Sequence, residues 1–303
     1  LKSGMAERDA AFDEFCKNHF KVSRAFESWE DMAKASRNEY DAVVVGSDQL
    51  WLPSNIMADY YTLNWVPQEV KKIAYATSFG IGSIPAKYSK IYSHYLKRID
   101  YLSARETSGQ DIIKKLAGRD VQLVNDPALL LDADGWNEVI SNEPLIKEKY
   151  VFCYFMGNNP EQRDFVRRLA NEKGLKVVAL LHLDQYIASD ENYVDMAPWH
   201  VSPADFVNLV KNAECVCTDS FHGTVFSIIY SRPFFTFKRF NKKASLSTNT
   251  RITSLLTRLG LMDRLVLDMD SKPAFDIDWN KIQSGVSQFR KASSEYLLNA
   301  IRA

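Results

Sequence analysis

Histidine, arginine and carboxylate side chains that follow short apolar runs are the groups in this chain best placed to do chemistry. The foremost is His222, in the stretch CVCTDSFHGTVFS from Cys215 to Ser227. An apolar run ends there in Thr218-Asp219-Ser220, and Gly223 and Thr224 lead into a second apolar segment. A histidine in such a strand-to-helix loop titrates near neutrality and can give or take a proton. The N–H groups and dipole of a starting helix favour an anion, phosphate or carboxylate, beside it. The same spacing allows a plainer reading, in which His222 caps the helix or packs against Phe221.

Three further constellations carry the same two readings. In GSDQLW, Ser47 and Asp48 after Gly46 would hydrogen-bond sugar hydroxyls while Trp51 stacks on a sugar ring. The plain alternative is a turn and helix cap, with the indole in the core. Arg105, next to Glu106 after the run DYLSA, suits bidentate grip of an anion, or else forms a surface pair with Glu106. The basic run KRFNKK from Lys238 to Lys243, together with Arg251, reads as a flap closing on phosphate or as a solvated loop. Gly157 and Asn158 end the apolar run YVFCYFMGNN. His182 and His200 stand in loops without partners at metal-ligand spacing, and His19 and His94 lie on helices. No GxxxxGK, GxGxxG or GxSxG pattern occurs.

The elements that must position these groups alternate. Apolar runs at DAVVV, KKIAYAT, DYLSA, VQLV, YVFCYF, KVVALL, CVCT and FFTF are separated by helical segments. Ser28 reads as an N-cap, Thr107 and Gln110 as a capping box, and Ser202-Pro203-Ala204-Asp205 as a helix start. A final amphipathic helix spans roughly Lys281 to Ile301. This alternation predicts parallel sheets covered on both faces, with ligands beyond the carboxyl ends of the strands. A polar break near residue 145 divides the chain into an N-terminal Rossmann-like domain, 1–145, and a second, 146–270, followed by a helical segment, 271–303.

A chain of 303 residues is long enough for two such domains. Thirty-eight basic residues balance 38 acidic ones, which argues against a nucleic-acid backbone as partner. No apolar run approaches the length of a membrane-spanning helix, and LKSGMAERDAAF lacks the apolar core of a secretory signal. Cys215 and Cys217, two apart in a strand, fit core packing better than a metal site. With Cys16 and Cys153 they suggest a reducing cytoplasm.

Together the segments YDAVVVGSDQLW, KKIAYATSFG, YLSARETSG, VNDPALLLDADGW, the long run SPADFVNLVKNAECVCTDSFHGTVFSIIYSRPFFTF and NTRITSLLTRLGL resemble the polysaccharide pyruvyl transferase family, over roughly residues 40 to 265. The resemblance implies an α/β fold of two Rossmann-like domains in a GT-B-like arrangement. It also implies an interdomain cleft, an N-terminal acceptor side, a C-terminal donor side, and a last helix packing back on the first domain. It implies transfer of the pyruvyl unit of phosphoenolpyruvate to a sugar as a cyclic ketal, in envelope or capsular polysaccharide biosynthesis. No cofactor or metal is implied. The acceptor would be a polymer or a lipid-linked oligosaccharide, and the enzyme cytoplasmic, with room for peripheral contact at the inner membrane face.

By resemblance His222 occupies the catalytic histidine position. The expected substrate-binding set is Ser220, Phe221, Gly223, Thr224, Arg105, Arg251, Lys238, Gly157, Asn158, Gly46, Ser47, Asp48 and Trp51. Two departures stand out. Many members carry Arg-Leu-His where this chain has Ser220-Phe221-His222, so Arg105, Arg251 or Lys238 must supply the missing charge. Nothing matches the strand–loop–helix unit that usually opens the family, so the first sheet lacks a strand or the sequence is truncated. The rival reading is a GT-B glycosyltransferase using a nucleotide sugar. A redox-partner role is disfavoured because none of the four cysteines makes a CxxC pair.

Overall fold

The computed structural model describes residues 2–183, 185–239, 250–272 and 274–303. The part of the expected basic flap at 240–249 therefore lies outside the described residues. Two helices, α1 (Lys2–His19) and α2 (Trp29–Glu39), precede the first sheet; the Ser28 side chain caps α2 by accepting from Asp31 N. Then β1 (Ala42–Asp48), β2 (Lys71–Thr77), α3 (Ser89–Arg98), β3 (Tyr101–Ala104), α4 (Thr107–Ala117) and β4 (Gln122–Leu123) alternate. All four strands are parallel, in the order β1-β2-β3-β4. The expected capping box of α4 does not form. Thr107 is already helical, and Gln110 Nε2 instead donates to the Val121 carbonyl at 2.8 Å.

The short α5 (Ala133–Asn137) leads to the second sheet. It comprises β5 (Tyr150–Tyr154), α6 (Pro160–Lys173), β6 (Lys176–Leu180), α7 (Pro203–Asn212), β7 (Cys215–Thr218), α8 (Phe221–Ile229) and β8 (Phe234–Phe237). The helix α9 (Thr250–Leu259), the strand β9 (Leu265–Val266) and α10 (Trp279–Arg302) complete the chain. Strands here are again parallel, in the order β6-β5-β7-β8-β9. The predicted start of α7 is present in full. Pro203 sits in the first turn, and Ser202 and Asp205 satisfy each other's backbone N–H reciprocally.

Each sheet has its own core. Trp51, Phe79, Tyr92, Tyr95, Leu96 and Ile113 fill the first. Cys153, Phe165, Val166, Cys215, Cys217 and Phe235 fill the second, so the paired cysteines are core residues; burial pushes the Cys153 and Cys217 thiols well up. Two compact units result, and they differ from the expected bounds of 1–145, 146–270 and 271–303. One is built on the first sheet with α2, α3, α4, α9 and the part of α10 from Ser284 onward. The other is built on the second sheet with α1, α5 to α8 and the first turn of α10. The break falls after Leu130. Residues beyond it already belong to the second core, where Trp136 packs edge-on against Phe226 at 4.9 Å.

Within the first-sheet unit, α10 is tied to the sheet by polar contacts. Ser293 Oγ accepts from Asn125 N at 2.9 Å, and Arg290 Nε donates to the Leu129 carbonyl at 2.8 Å. The amphipathic helix α9 joins the same unit, where Arg258 lies over the Phe289 ring of α10 at 3.3 Å. Where β1 meets β2 the backbones approach so closely that a Cβ on Gly46 would overlap the Tyr75 carbonyl oxygen. Gly46→Ala is expected to destabilise the chain by about 3 kcal/mol, read as a lowered urea midpoint, because backbone rather than a movable side chain must yield.

Candidate functional site

In the first-sheet unit, one guanidinium joins three strand ends. Arg105, just past β3, donates from one terminal nitrogen to Asp126 beyond β4 and to Ser47 Oγ of β1 at 3.1 Å. Its other terminal nitrogen donates to Asp48 Oδ1 at 3.0 Å. Arg251 of α9 reaches the same Asp48 oxygen at 2.7 Å. Ser47 Oγ lies 3.0 Å from Asp126 Oδ2 and 3.2 Å from the Ala76 carbonyl, its single hydrogen serving one at a time. The Arg105 and Asp126 side chains are almost fully buried, whereas Asp48 remains 55% exposed.

These facts redistribute the expected roles. Ser47, Asp48, Arg105 and Arg251 come together, but largely by binding one another. Gly46 serves the strand contact. Trp51 does not reach a substrate: it is fully buried, its ring within 5.3 Å of Phe79 and of Tyr95 and its Nε1 donating to the Tyr61 carbonyl. An indole that can cover this much apolar surface is worth more in the core than on a rim. Glu106, read as a surface partner of Arg105, is wholly buried; its Oε1 accepts from Ser78 Oγ at 2.9 Å and Phe79 N at 3.1 Å. Burial pushes its carboxyl up, and the charges of Arg105 and Arg251, with those two hydrogen bonds, oppose the rise without cancelling it.

The second-sheet unit has a different topology at its strand ends. From β5 the chain pairs β6 on one side and then crosses to pair β7 on the other. Such a reversal leaves a crevice beyond the carboxyl ends of the two central strands, here β5 and β7. The loop after β5 carries Gly157 and Asn158, and the loop after β7 carries Asp219 and Ser220. Asp219 bridges them: its two carboxylate oxygens accept from Met156 N and Gly157 N, each at 2.8 Å.

Helix α8 opens at this crevice. Ser220 is its N-cap, accepting from Gly223 N at 3.3 Å, while Ser220 N donates to Thr218 Oγ1 at 3.0 Å. A Cβ on Gly223 would stand 2.6 Å from Thr218 Oγ1, so only glycine lets α8 start this close to β7. Thr224 is buried, bonded to the Ser220 carbonyl and to Thr236 Oγ1, and Phe221 is buried as well. Among the nine residues of α8, His222 alone is not buried. Its ring meets Phe221 edge-on at 5.5 Å. The cap and the helix start are thus built by Ser220, Gly223 and Thr224, which leaves the imidazole as the helix's accessible group.

The cation beside this loop belongs to the basic run KRFNKK but was not singled out within it. Arg239, following β8, donates to the Asp219 carbonyl at 3.2 Å and lies against Met156 Sδ, with its Nε 3.6 Å from Asp219 Oδ1. Arg105 and Arg251 belong instead to the first-sheet unit. Lys238, the neighbour that was singled out, contributes its carbonyl as acceptor for Gln162 Nε2. The available signal was adjacency: β8 lies next to β7, so whatever follows β8 is carried toward the start of α8.

Two parallel α/β units of this kind define a GT-B-type fold, and a solved structure shares it. The wall teichoic acid polymerase TagF is 15% identical, with a TM-score of 0.50 over 97% of this chain and 84% of that one. UDP-GlcNAc 2-epimerase from Neisseria meningitidis, bound to UDP-GlcNAc, is 12% identical, with a TM-score of 0.49 over 97% and 90%. No curated protein matches the chain. Residues 6–239 match the polysaccharide pyruvyl transferase family, and the chain belongs to that family of transferases.

Two outcomes are expected of the first-sheet cluster. Arg105→Gln removes the guanidinium that pairs with the buried Asp126 carboxylate and is expected to cost about 3–5 kcal/mol by urea denaturation. Glu106 holds its proton more tightly folded than unfolded, so stability falls as pH rises from the ordinary glutamate range through the raised value. Glu106→Gln, which keeps an acceptor for Ser78 and Phe79, is expected to flatten that fall in a series of urea midpoints against pH.

Proposed function

We propose that this chain transfers the pyruvyl unit of phosphoenolpyruvate to a sugar as a cyclic ketal. The observation that carries the reading is His222, the one accessible residue of a helix that starts at the crevice of the second sheet, in a chain of this family. The donor is the anionic substrate, and the α8 N-terminus with Arg239 beside it is the environment that favours an anion. Donor and histidine then share one unit.

The reaction sets definite tasks. The donor's methylene carbon must gain a proton, which makes its neighbouring carbon electrophilic. Two sugar hydroxyls attack that carbon in turn, and the carbon–oxygen bond to phosphate breaks. In the net balance one hydroxyl proton ends on the new methyl group and the other on the departing phosphate. His222 is assigned the acid–base work, since a neutral-range imidazole can both deliver and collect a proton. The half-exposed Asp48 carboxylate, held in place by Arg105 and Arg251, is assigned to acceptor hydroxyls in the first-sheet unit. The reaction as written needs no cofactor.

The acceptor we assign is a polymer or lipid-linked oligosaccharide of the cell envelope or capsule, met at the inner face of the membrane. No described helix is long and apolar enough to cross a membrane, so such contact would be peripheral.

The test supplies carbon-labelled phosphoenolpyruvate with envelope glycan extracts and follows acid-labile label in the glycan together with released phosphate. His222→Ala is expected to lower both by about 10²–10⁴-fold, the usual range for loss of an acid–base group. Near-normal turnover by His222→Ala would remove the assignment. Binding of nucleotide sugars without binding of phosphoenolpyruvate would remove the whole reading.

A further inference from the structure

Behind the crevice of the second sheet lies a buried ionic network that the proposed chemistry does not use. Arg163 of α6 has a side chain only 2% exposed, yet it spends its donors on four bonds. Its Nε and one terminal nitrogen reach Asp190 Oδ1 at 3.2 and 2.7 Å. The terminal nitrogens also reach the carbonyls of Gly157 at 2.7 Å and Asn159 at 3.2 Å. Asp190 Oδ2 in turn meets His182 Nδ1 at 2.6 Å, while His182 Nε2 is buried with no hydrogen-bond partner. Burial pushes the Asp190 carboxyl up, but the bonds from His182 and Arg163 outweigh it and leave the group below the usual carboxylate range.

This is a poor way to gain stability. Buried ion pairs can often be replaced by well-packed apolar groups at no loss, and the unpartnered imidazole nitrogen adds a further cost. What the network does achieve is position. Gly157 is held from both sides: its carbonyl by Arg163 and its N–H by Asp219. Asp219 also accepts from Met156 N and immediately precedes Ser220, the cap of the helix that carries His222. Hydrogen bonds and one short length of backbone therefore run without a gap from His182 through Asp190, Arg163, Gly157 and Asp219 to the start of α8.

We infer that Arg163, with Asp190 and His182, is a positioning device that fixes the loop after β5 and through Asp219 sets the placement of His222. The inference rests on the reading of His222 as the reacting group. None of the three residues is assigned contact with substrate.

The deciding experiment separates stability from placement. The triple variant Arg163→Met, Asp190→Leu, His182→Phe replaces the network with apolar groups, and its urea midpoint, turnover of labelled phosphoenolpyruvate and His222 imidazole resonance are compared with those of the parent. Unchanged or raised stability, a kcat lowered about ten- to a hundredfold with KM for phosphoenolpyruvate little changed, and a moved His222 resonance are expected. A folded triple variant with kcat within about twofold and an unmoved resonance would overturn the inference. Should the triple variant fail to fold, Arg163→Lys carries the test, and an unchanged His222 resonance in that variant overturns it. A parent protein that does not turn over phosphoenolpyruvate counts against the proposed function instead, and the resonance then decides the network by itself.

Discussion

A carboxylate taken out of water has to be paired, and both strand-end sites of this protein are organised around one that is. In the first-sheet unit it is Asp126, gripped by Arg105 and Ser47. In the second it is Asp219, whose oxygens collect the N–H groups of Met156 and Gly157. Each pairing draws together loops that are distant in sequence. The end of β1 and the loops after β3 and β4 meet at Arg105, and the loops after β5 and β7 meet at Asp219. Since such buried charges are unforgiving, the strand end and helix start that carry the accessible groups, Asp48 and His222, have little freedom to drift.

Topology then separates the two sites. The first sheet runs in simple order, so its strand ends form a continuous row that Arg105 closes up. The second sheet reverses between β6 and β7 and leaves a crevice, into which α8 directs its N-terminus. That difference, rather than any difference in residue types, gives the second unit a crevice that the first lacks. It also bears on Ser220, the position at which the family resemblance leads one to expect an arginine. Ser220 is needed as the cap of α8, and positive charge reaches the loop from the neighbouring strand end through Arg239.

Much of this was legible in the sequence because it is local. Alternating apolar runs marked the strands, Ser28 and Ser202 marked helix starts, and the spacing of Cys215 and Cys217 marked one inward face. The motif around His222 could be recognised as a strand-to-helix junction, since Gly223 and Ser220 do their work within a few residues, but α8 starts at Phe221 and so takes His222 into its first turn rather than leaving it in the loop. Apart from the capping box that does not form at Thr107, the misreadings are long-range. Trp51 follows a loop motif that looks solvent-facing, yet its ring is taken by the core formed with Phe79 and Tyr95. Arg251 lies between two strands of the second sheet, β8 and β9, and nothing in its own helix shows that α9 returns to the first-sheet unit. Arg239 looked like one charge in a basic run. Only strand order places it beside Asp219.

The central claim is that the crevice at β5 and β7 holds the pyruvyl donor beside His222. A crystal structure of the protein with phosphoenolpyruvate bound tests it most directly. The account predicts the ligand's phosphate or carboxylate at the N-terminus of α8, with the His222 ring and Arg239 in hydrogen-bonding reach. Phosphoenolpyruvate bound instead at the Asp48 and Arg105 cluster, or away from α8 altogether, would contradict it.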